Sequence, residues 1–254
     1  MNILFQFEKK PLRFRDPERI ISCYDPAHLP EAFAQVEGAL RNGFFVAGLL
    51  SYESGYAFEK KLCRATQHDF PLLYFGCYTS PIQEKSQVQP HEEESGITGV
   101  AFNISKAAYD KNIGRIRDHI RAGDVYQITY CLKVTFTLRG CASGLYRKLL
   151  QRQPVPYPAY LEAGEFTILS LSPEMFIKKQ DRFIVTKPMK GTWPRGEGVL
   201  SDLFARQRFQ FDSKNRAENV MIADLLRNDL GRMGRGVRAP RLFEVTPYKT
   251  LFQM

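Results

Sequence analysis

No stretch of this 254-residue chain stays apolar for the ~20 residues that a bilayer crossing needs, which excludes a membrane-spanning helix. Its opening, MNILFQFEKKPLRFRD, has no long apolar run after the charges and no small-residue cleavage site, so no secretory signal is read there. Cysteine is sparse: Cys23, Cys63, Cys77, Cys131 and Cys141 are odd in number, scattered and free of any CxxC pair. That argues against a disulfide framework and a zinc site, and makes reduced, cytoplasmic thiols the expectation. None of the five sits in a Gly-x-Cys-x-Gly nucleophile elbow. There is no internal repeat. The 36 basic and 27 acidic residues give a net charge of +9, yet the basic residues form no block and no nucleic-acid motif. An anionic substrate, or an acidic face on a partner protein, fits that balance equally well.

What is present is the composition of a soluble globular protein, with 44% apolar and 25% charged residues, enough for one large domain or two small ones. Pro30 opens an expected helix over 31–42, with Phe33, Val36 and Leu40 on one face and Gly43 as its stop. Residues 44–52 and 71–78 read as strands, the first of them buried. The polar run 80–99, with its acidic residues Glu92 to Glu94, reads as an exposed linker. It divides an N-terminal segment (1–79) from a main body (100–254). Ser105 can cap a helix in which Tyr109, Ile113, Ile116 and Ile120 share a face and Gly123 ends the run. Residues 125–138 form one long β-rich run, 145–153 a helix, and 158–163 and 166–171 two strands. Asp212 or Ser213 caps the longest helix, which runs to about Leu230, with Gly231 beyond it. Strands and helices come in clumps, which predicts α+β rather than a regular βαβ succession.

The segment ILSLSPEMFIKKQDRFIVTKPMKGTWPR draws attention for its chemistry. The strand 166–171 breaks at Ser172-Pro173 and presents Glu174. A strand over 182–186 then leads into Lys187-Pro188-Met189-Lys190-Gly191-Thr192. Two strands joined by a short turn bring Glu174 and Lys190 to neighbouring strand ends. A lysine is a nucleophile when neutral, and a nearby carboxyl group can protonate a leaving hydroxyl. A surface salt bridge across a hairpin satisfies the same pattern.

Three segments in order, SLSPEMF, KPMKGTWPRG and KNRAENVMIADLLRNDLGR, resemble successive signatures of the chorismate-utilising enzymes, and most of all those of the aminodeoxychorismate synthase component I type. The likeness runs from about Leu49 to the last residue and is densest from Tyr109 onward. It implies two stacked, mainly antiparallel sheets flanked by helices. It implies attack of the Lys190 amine on C2 of chorismate, with Glu174 protonating the departing C4 hydroxyl and ammonia then displacing the lysine. Gly191 and Thr192 match substrate-binding positions, and Glu218 matches a carboxylate ligand of Mg²⁺. A salt bridge from Glu218 to a nearby Arg or Lys satisfies the same position. Asp224, Arg227, Asn228 and Asp229 read as struts at the helix end. Gln127, in AGDVYQITY, matches the position where water-adding relatives carry a lysine base. A glutamine cannot deprotonate water, so ammonia is the implied nucleophile. Anthranilate synthases resemble the chain too but show alanine at the Lys190 position. The ammonia source implied is a separate glutamine amidotransferase subunit. SYESGYAFE (51–59) resembles a stretch near an effector pocket, or is simply a strand end and its turn. Relatives continue with a C-terminal region that has no counterpart here. The resemblance therefore implies the N-terminal portion of such an enzyme, incomplete at the C-terminus, marginally stable and inactive unaided; a non-catalytic remnant or interaction module is the alternative.

Overall fold

In the computed structural model, which describes residues 1–7, 10–59, 61–62, 68–82 and 95–254, β1 (Asn2–Phe7) pairs antiparallel with β2 (Lys10–Arg15). Next come β3 (Arg19–Cys23), α1 (Leu29–Arg41), β4 (Phe45–Leu50) and β5 (Leu73–Tyr78). The second-position proline starts α1 as expected, and a short 3-10 turn, Pro26–His28, leads into it with Asp25 accepting from the Ala27 amide at 2.8 Å. Then follow β6 (Gly96–Phe102), α2 (Lys106–Ala122), β7 (Val134–Arg139), α3 (Ala142–Arg152), β8 (Tyr157–Glu162), β9 (Thr167–Ser172), β10 (Met175–Gln180), β11 (Phe183–Lys187) and β12 (Thr192–Pro194). Helices α4 (Val199–Gln210) and α5 (Ser213–Gly231) precede the short strands β13 (Thr246–Pro247) and β14 (Leu251–Gln253). Among the described residues no helix is long and apolar enough to cross a membrane.

The chain forms two compact units, 1–87 with 148–254, and 88–147. In the larger unit, β3, β5 and β4 make an antiparallel sheet with β5 in the middle. Successive residues of a strand point to opposite faces. Cys77 accordingly joins Ile21, Leu29, Leu72 and Leu73 under α1, while Tyr78 joins Ala47, Ile3, Phe14 and Leu161 on the other face. The last three belong to the sheet β2-β1-β8-β9, so two antiparallel sheets stack around that second core. The architecture is α+β with several antiparallel ladders. Burial pushes the Tyr78 phenol up to about 12. A third, smaller core joins α4 to the sheet β12-β14-β13 through Phe209, Val245, Phe252 and Met254.

In the smaller unit the Ser105 hydroxyl caps α2 by accepting from the Ala108 amide, and Gly123 closes it at φ +80, a left-handed conformation that favours glycine. β6 and β7 pair as a two-stranded ladder with a register shift between Thr98 and Ala101. The expected strand over 125–138 is half right: only 134–139 pairs, and 125–133 is irregular. The reason is local. Tyr130 turns toward α2, accepting from the Asn112 side chain at 2.6 Å and lying 5.8 Å from the Tyr109 ring, so the β-branched residues around it form no ladder. Of the polar run 80–99, residues 83–94 lie outside the described ones, as do the Glu92–Glu94 run, His91 and Cys63.

Candidate active site

Glu174 and Lys190 leave the same end of one hairpin, though not the expected one. β9 pairs with β8, and the partner of β11 is β10, a strand that the sequence pattern hides. Its Lys178-Lys179-Gln180 looks like a polar turn, and its register shifts between Met175 and Lys178 as at a bulge. The true turn is Asp181-Arg182, with Asp181 at φ +51, a conformation in which aspartate is enriched. Buried Met175 pairs with Lys187, so Glu174 stands one residue before the ladder and Lys190 three residues after it.

Ahead of the ladder, the Ser172 hydroxyl accepts from the Glu174 amide at 3.2 Å and donates to its carbonyl at 3.0 Å, wrapping the chain around Pro173. Glu174 itself is exposed and Lys190 half-buried. No ion pair joins the two among the described residues.

Both turns are anchored by the last residues of the chain. The Tyr248 hydroxyl donates to the Pro173 carbonyl at 3.3 Å, and burial raises that phenol above its ordinary range. The Lys190 amide donates to the Met254 carbonyl at 2.8 Å, and the Met254 amide donates back to Gly191 at 3.3 Å. The Gln253 side-chain amide donates to the Thr192 hydroxyl at 3.0 Å. Arg195 secures the following residues: it donates to both oxygens of Asp202 at 2.6 and 2.5 Å and to the Tyr248 carbonyl at 2.7 Å, and lies 4.8 Å from the Phe252 ring centre. This bonding holds the Asp202 carboxyl below its ordinary range, with the Gly196 amide adding to it. Tyr248, Asp202 and Gln253 carry no signal in the sequence read alone, and Arg195, although it lies in the KPMKGTWPRG segment, is not marked there as the partner of Asp202 and of the Tyr248 carbonyl 53 positions away.

Helix α5 approaches from the other side. Asp212 is its cap, as expected, and its carboxyl is held low by the Asn215 amide. A methyl group added to Gly191, which sits at φ +91, would lie 2.6 Å from the Asn215 Oδ1. Glu218 follows one turn after Asn215 and so shares its helix face. Its carboxylate is 3.9 Å from the Lys214 ammonium, one helical turn earlier. Asp224 and Arg227 bond each other through their exposed side chains within α5, rather than bonding the helix end. Among the described residues no three His, Cys, Asp or Glu side chains gather as a metal site. Glu218 alone is one carboxylate and not a magnesium cage.

Gln127 belongs to the smaller unit, exposed in the irregular stretch 125–133. Residues 52–57 form a 3-10 turn in which only Ser54 is buried.

A family model described as chorismate binding enzyme matches residues 4–254. Aminodeoxychorismate synthase component 1 of Klebsiella aerogenes is 36% identical over 154 residues, covering 60% of this chain and 34% of that protein. Anthranilate synthase component 1 of Thermus thermophilus is 38% identical over 144 residues, covering 57% and 31%. The match thus spans about a third of the length of these curated relatives. Among solved structures, the menaquinone-specific isochorismate synthase of Escherichia coli shares the fold with a TM-score of 0.63 at 12% identity, covering 99% of this chain and 62% of that one. A protein of Bacillus anthracis assigned as a 2,3-dihydroxybenzoate-specific isochorismate synthase gives 0.73 at 15% identity, covering 99% and 66%. With nearly its whole length matched by the family model, the chain belongs to the chorismate-binding enzyme family.

Proposed function

We propose that the chain is the Lys190-bearing part of an aminodeoxychorismate synthase component I, which converts chorismate and ammonia to 4-amino-4-deoxychorismate and water on the way to p-aminobenzoate and folate. The reading is of an enzyme at the relatives' full length, acting in the cytoplasm. The observation that carries it is the placement of the Lys190-Gly191-Thr192 turn at the Glu174 end of the β10–β11 hairpin and against the first turn of α5. The neutral Lys190 amine attacks C2 of chorismate, and the C4 hydroxyl leaves as water on taking a proton from Glu174. Ammonia then forms a bond to C4 as the C2–lysine bond breaks, which restores the amine. Thr192 offers a hydroxyl donor to the substrate and Gly191 allows close backbone approach. Gln127 serves ammonia chemistry because it cannot take a proton from water. Glu218 would contribute one ligand to Mg²⁺, and no step here is assigned to the ion. Ammonia comes from glutamine through a separate amidotransferase subunit.

Anthranilate synthase is the second reading, since a relative of that name is as similar as the aminodeoxychorismate synthase. Lys190 decides between them. The test is product identification by mass spectrometry after incubation with chorismate, Mg²⁺ and ammonium, in this chain and in one extended to the relatives' length. Aminodeoxychorismate is expected from the extended chain, with its formation falling by at least about tenfold in Lys190→Ala. Anthranilate from the unaltered chain would favour the second reading, and isochorismate would overturn both.

A further inference from the structure

The geometry points to Asn215 as a positioning residue that sets the Lys190–Thr192 turn against the first turn of α5, and with it the spacing between Lys190 and Glu218. The inference rests on the roles read for those two residues. Asp212 Oδ1 accepts from the Asn215 backbone amide at 2.9 Å and from its side-chain Nδ2 at 2.7 Å. The carboxamide is thereby pinned in one orientation, its NH₂ turned back to the helix cap. A side chain carbon built on Gly191 would meet Asn215 Oδ1, Cγ and Cβ at 2.6, 3.0 and 3.2 Å, so the carbonyl edge of that side chain lies along the glycine. Three such contacts with a side chain already tied down leave no cheap way to make room. On its other side the turn is bonded to Met254 through the Lys190 amide and the Gly191 carbonyl. The turn is therefore clamped between Met254, just beyond β14, and Asn215. Because residues three apart on a helix are neighbours on one face, the residue that fixes Gly191 also places Glu218 relative to it.

The test reads the chemical accessibility of the Lys190 amine, measured as acetylation by acetic anhydride and scored by peptide mass spectrometry against Lys179 and Lys249 in the same sample. Asn215→Ala is expected to change the relative labelling of Lys190 about threefold or more, without moving the other lysines. Two substitutions separate bulk from bonding. Asn215→Leu keeps the branched bulk over Gly191 and loses only the side-chain bond to Asp212, the backbone amide still donating to that carboxylate; it should stay within about twofold of the unaltered chain. Asn215→Ser keeps a donor for Asp212 and loses the bulk; it should behave like the alanine variant. Gly191→Ala should also alter Lys190 labelling, and its effect should shrink when combined with Asn215→Gly, since contacting residues couple. Unchanged labelling in Asn215→Ala, rescue by serine rather than leucine, strictly multiplicative effects in the double variant, or a parallel change of all lysines would each overturn the assignment. The labelling involves no product, so it can fail while amino transfer stands, and hold while amino transfer fails.

Discussion

Around β5, side chains are buried on both faces of the sheet: Leu72, Leu73 and Cys77 are fully buried beneath α1, and Tyr78 is 1% exposed on the opposite face. In the same compact unit, the stretch that bears the candidate site leaves Phe176 and Val199 each 81% exposed, with Leu200, Phe204 and Phe183 close behind. Both stretches are rich in large apolar side chains, yet the first buries them on both faces of its sheet and the second leaves most of them exposed. The second rests on a cluster of four, Phe209, Val245, Phe252 and Met254, three of them from the last ten residues. Site geometry therefore depends on a few contacts with the C-terminal strand, while fold stability comes from elsewhere.

Phe209→Ala breaks the comparison at its weakest point. Truncating a fully buried phenylalanine costs roughly 3–5 kcal/mol, and this one anchors α4 on β14. Hydrogen exchange should rise across α4 and β12 to β14 while amides of β1, β5 and β8 stay protected. Uniform loss of protection would show one cooperative core and no such division. Leu72→Ala should do the reverse, costing about 2–5 kcal/mol and lowering protection throughout the stacked sheets, as read in a denaturant titration with exchange detection.

A smaller effect is expected from Asp202→Asn. The Arg195 bonds hold the Asp202 carboxyl below its ordinary 3.8. A carboxyl group depressed in the folded state contributes stability above its unfolded pKa and loses it as pH falls through the lowered folded value. Acid titration followed by Trp193 fluorescence, which reports on the ring stacked at 5.8 Å on Phe209, should show this loss below about pH 3.8 in the unaltered chain. The asparagine variant should lack that limb and start from a slightly lower melting temperature. An identical acid limb in both would place the titrating group elsewhere.

Much of the fold is legible in the residues. Ser105, Asp212, Pro30, Gly43 and Gly123 mark helix ends through local bonding or backbone preference, and such signals survive without tertiary context. Strand β10 and helix α4 were not legible. The exposed Val199, Leu200, Leu203 and Phe204 give α4 no polar face to contrast with an apolar one, and the lysines of β10 imitate a turn. At the site, Glu174, Lys190 and Glu218 stand out through residue type and order. The contacts of their supports, Tyr248 to Pro173, Arg195 to Tyr248 and Asn215 to Gly191, are seen only once the chain is folded, even though Arg195 and Asn215 stand in the quoted signatures, because each acts across a long separation or through the space a glycine leaves.

The central claim is that Lys190 becomes bonded to the substrate. Intact-protein and peptide mass spectrometry after mixing with chorismate and Mg²⁺, with ammonia withheld, tests it most directly, in this chain and in one extended to the relatives' length. The account predicts, in the extended chain, a covalent adduct on the Lys190 peptide, equal to chorismate less one water, which ammonia discharges as aminodeoxychorismate and which Lys190→Ala cannot form. Aminodeoxychorismate formation at an unchanged rate in Lys190→Ala, with no adduct on the unaltered chain, would contradict it.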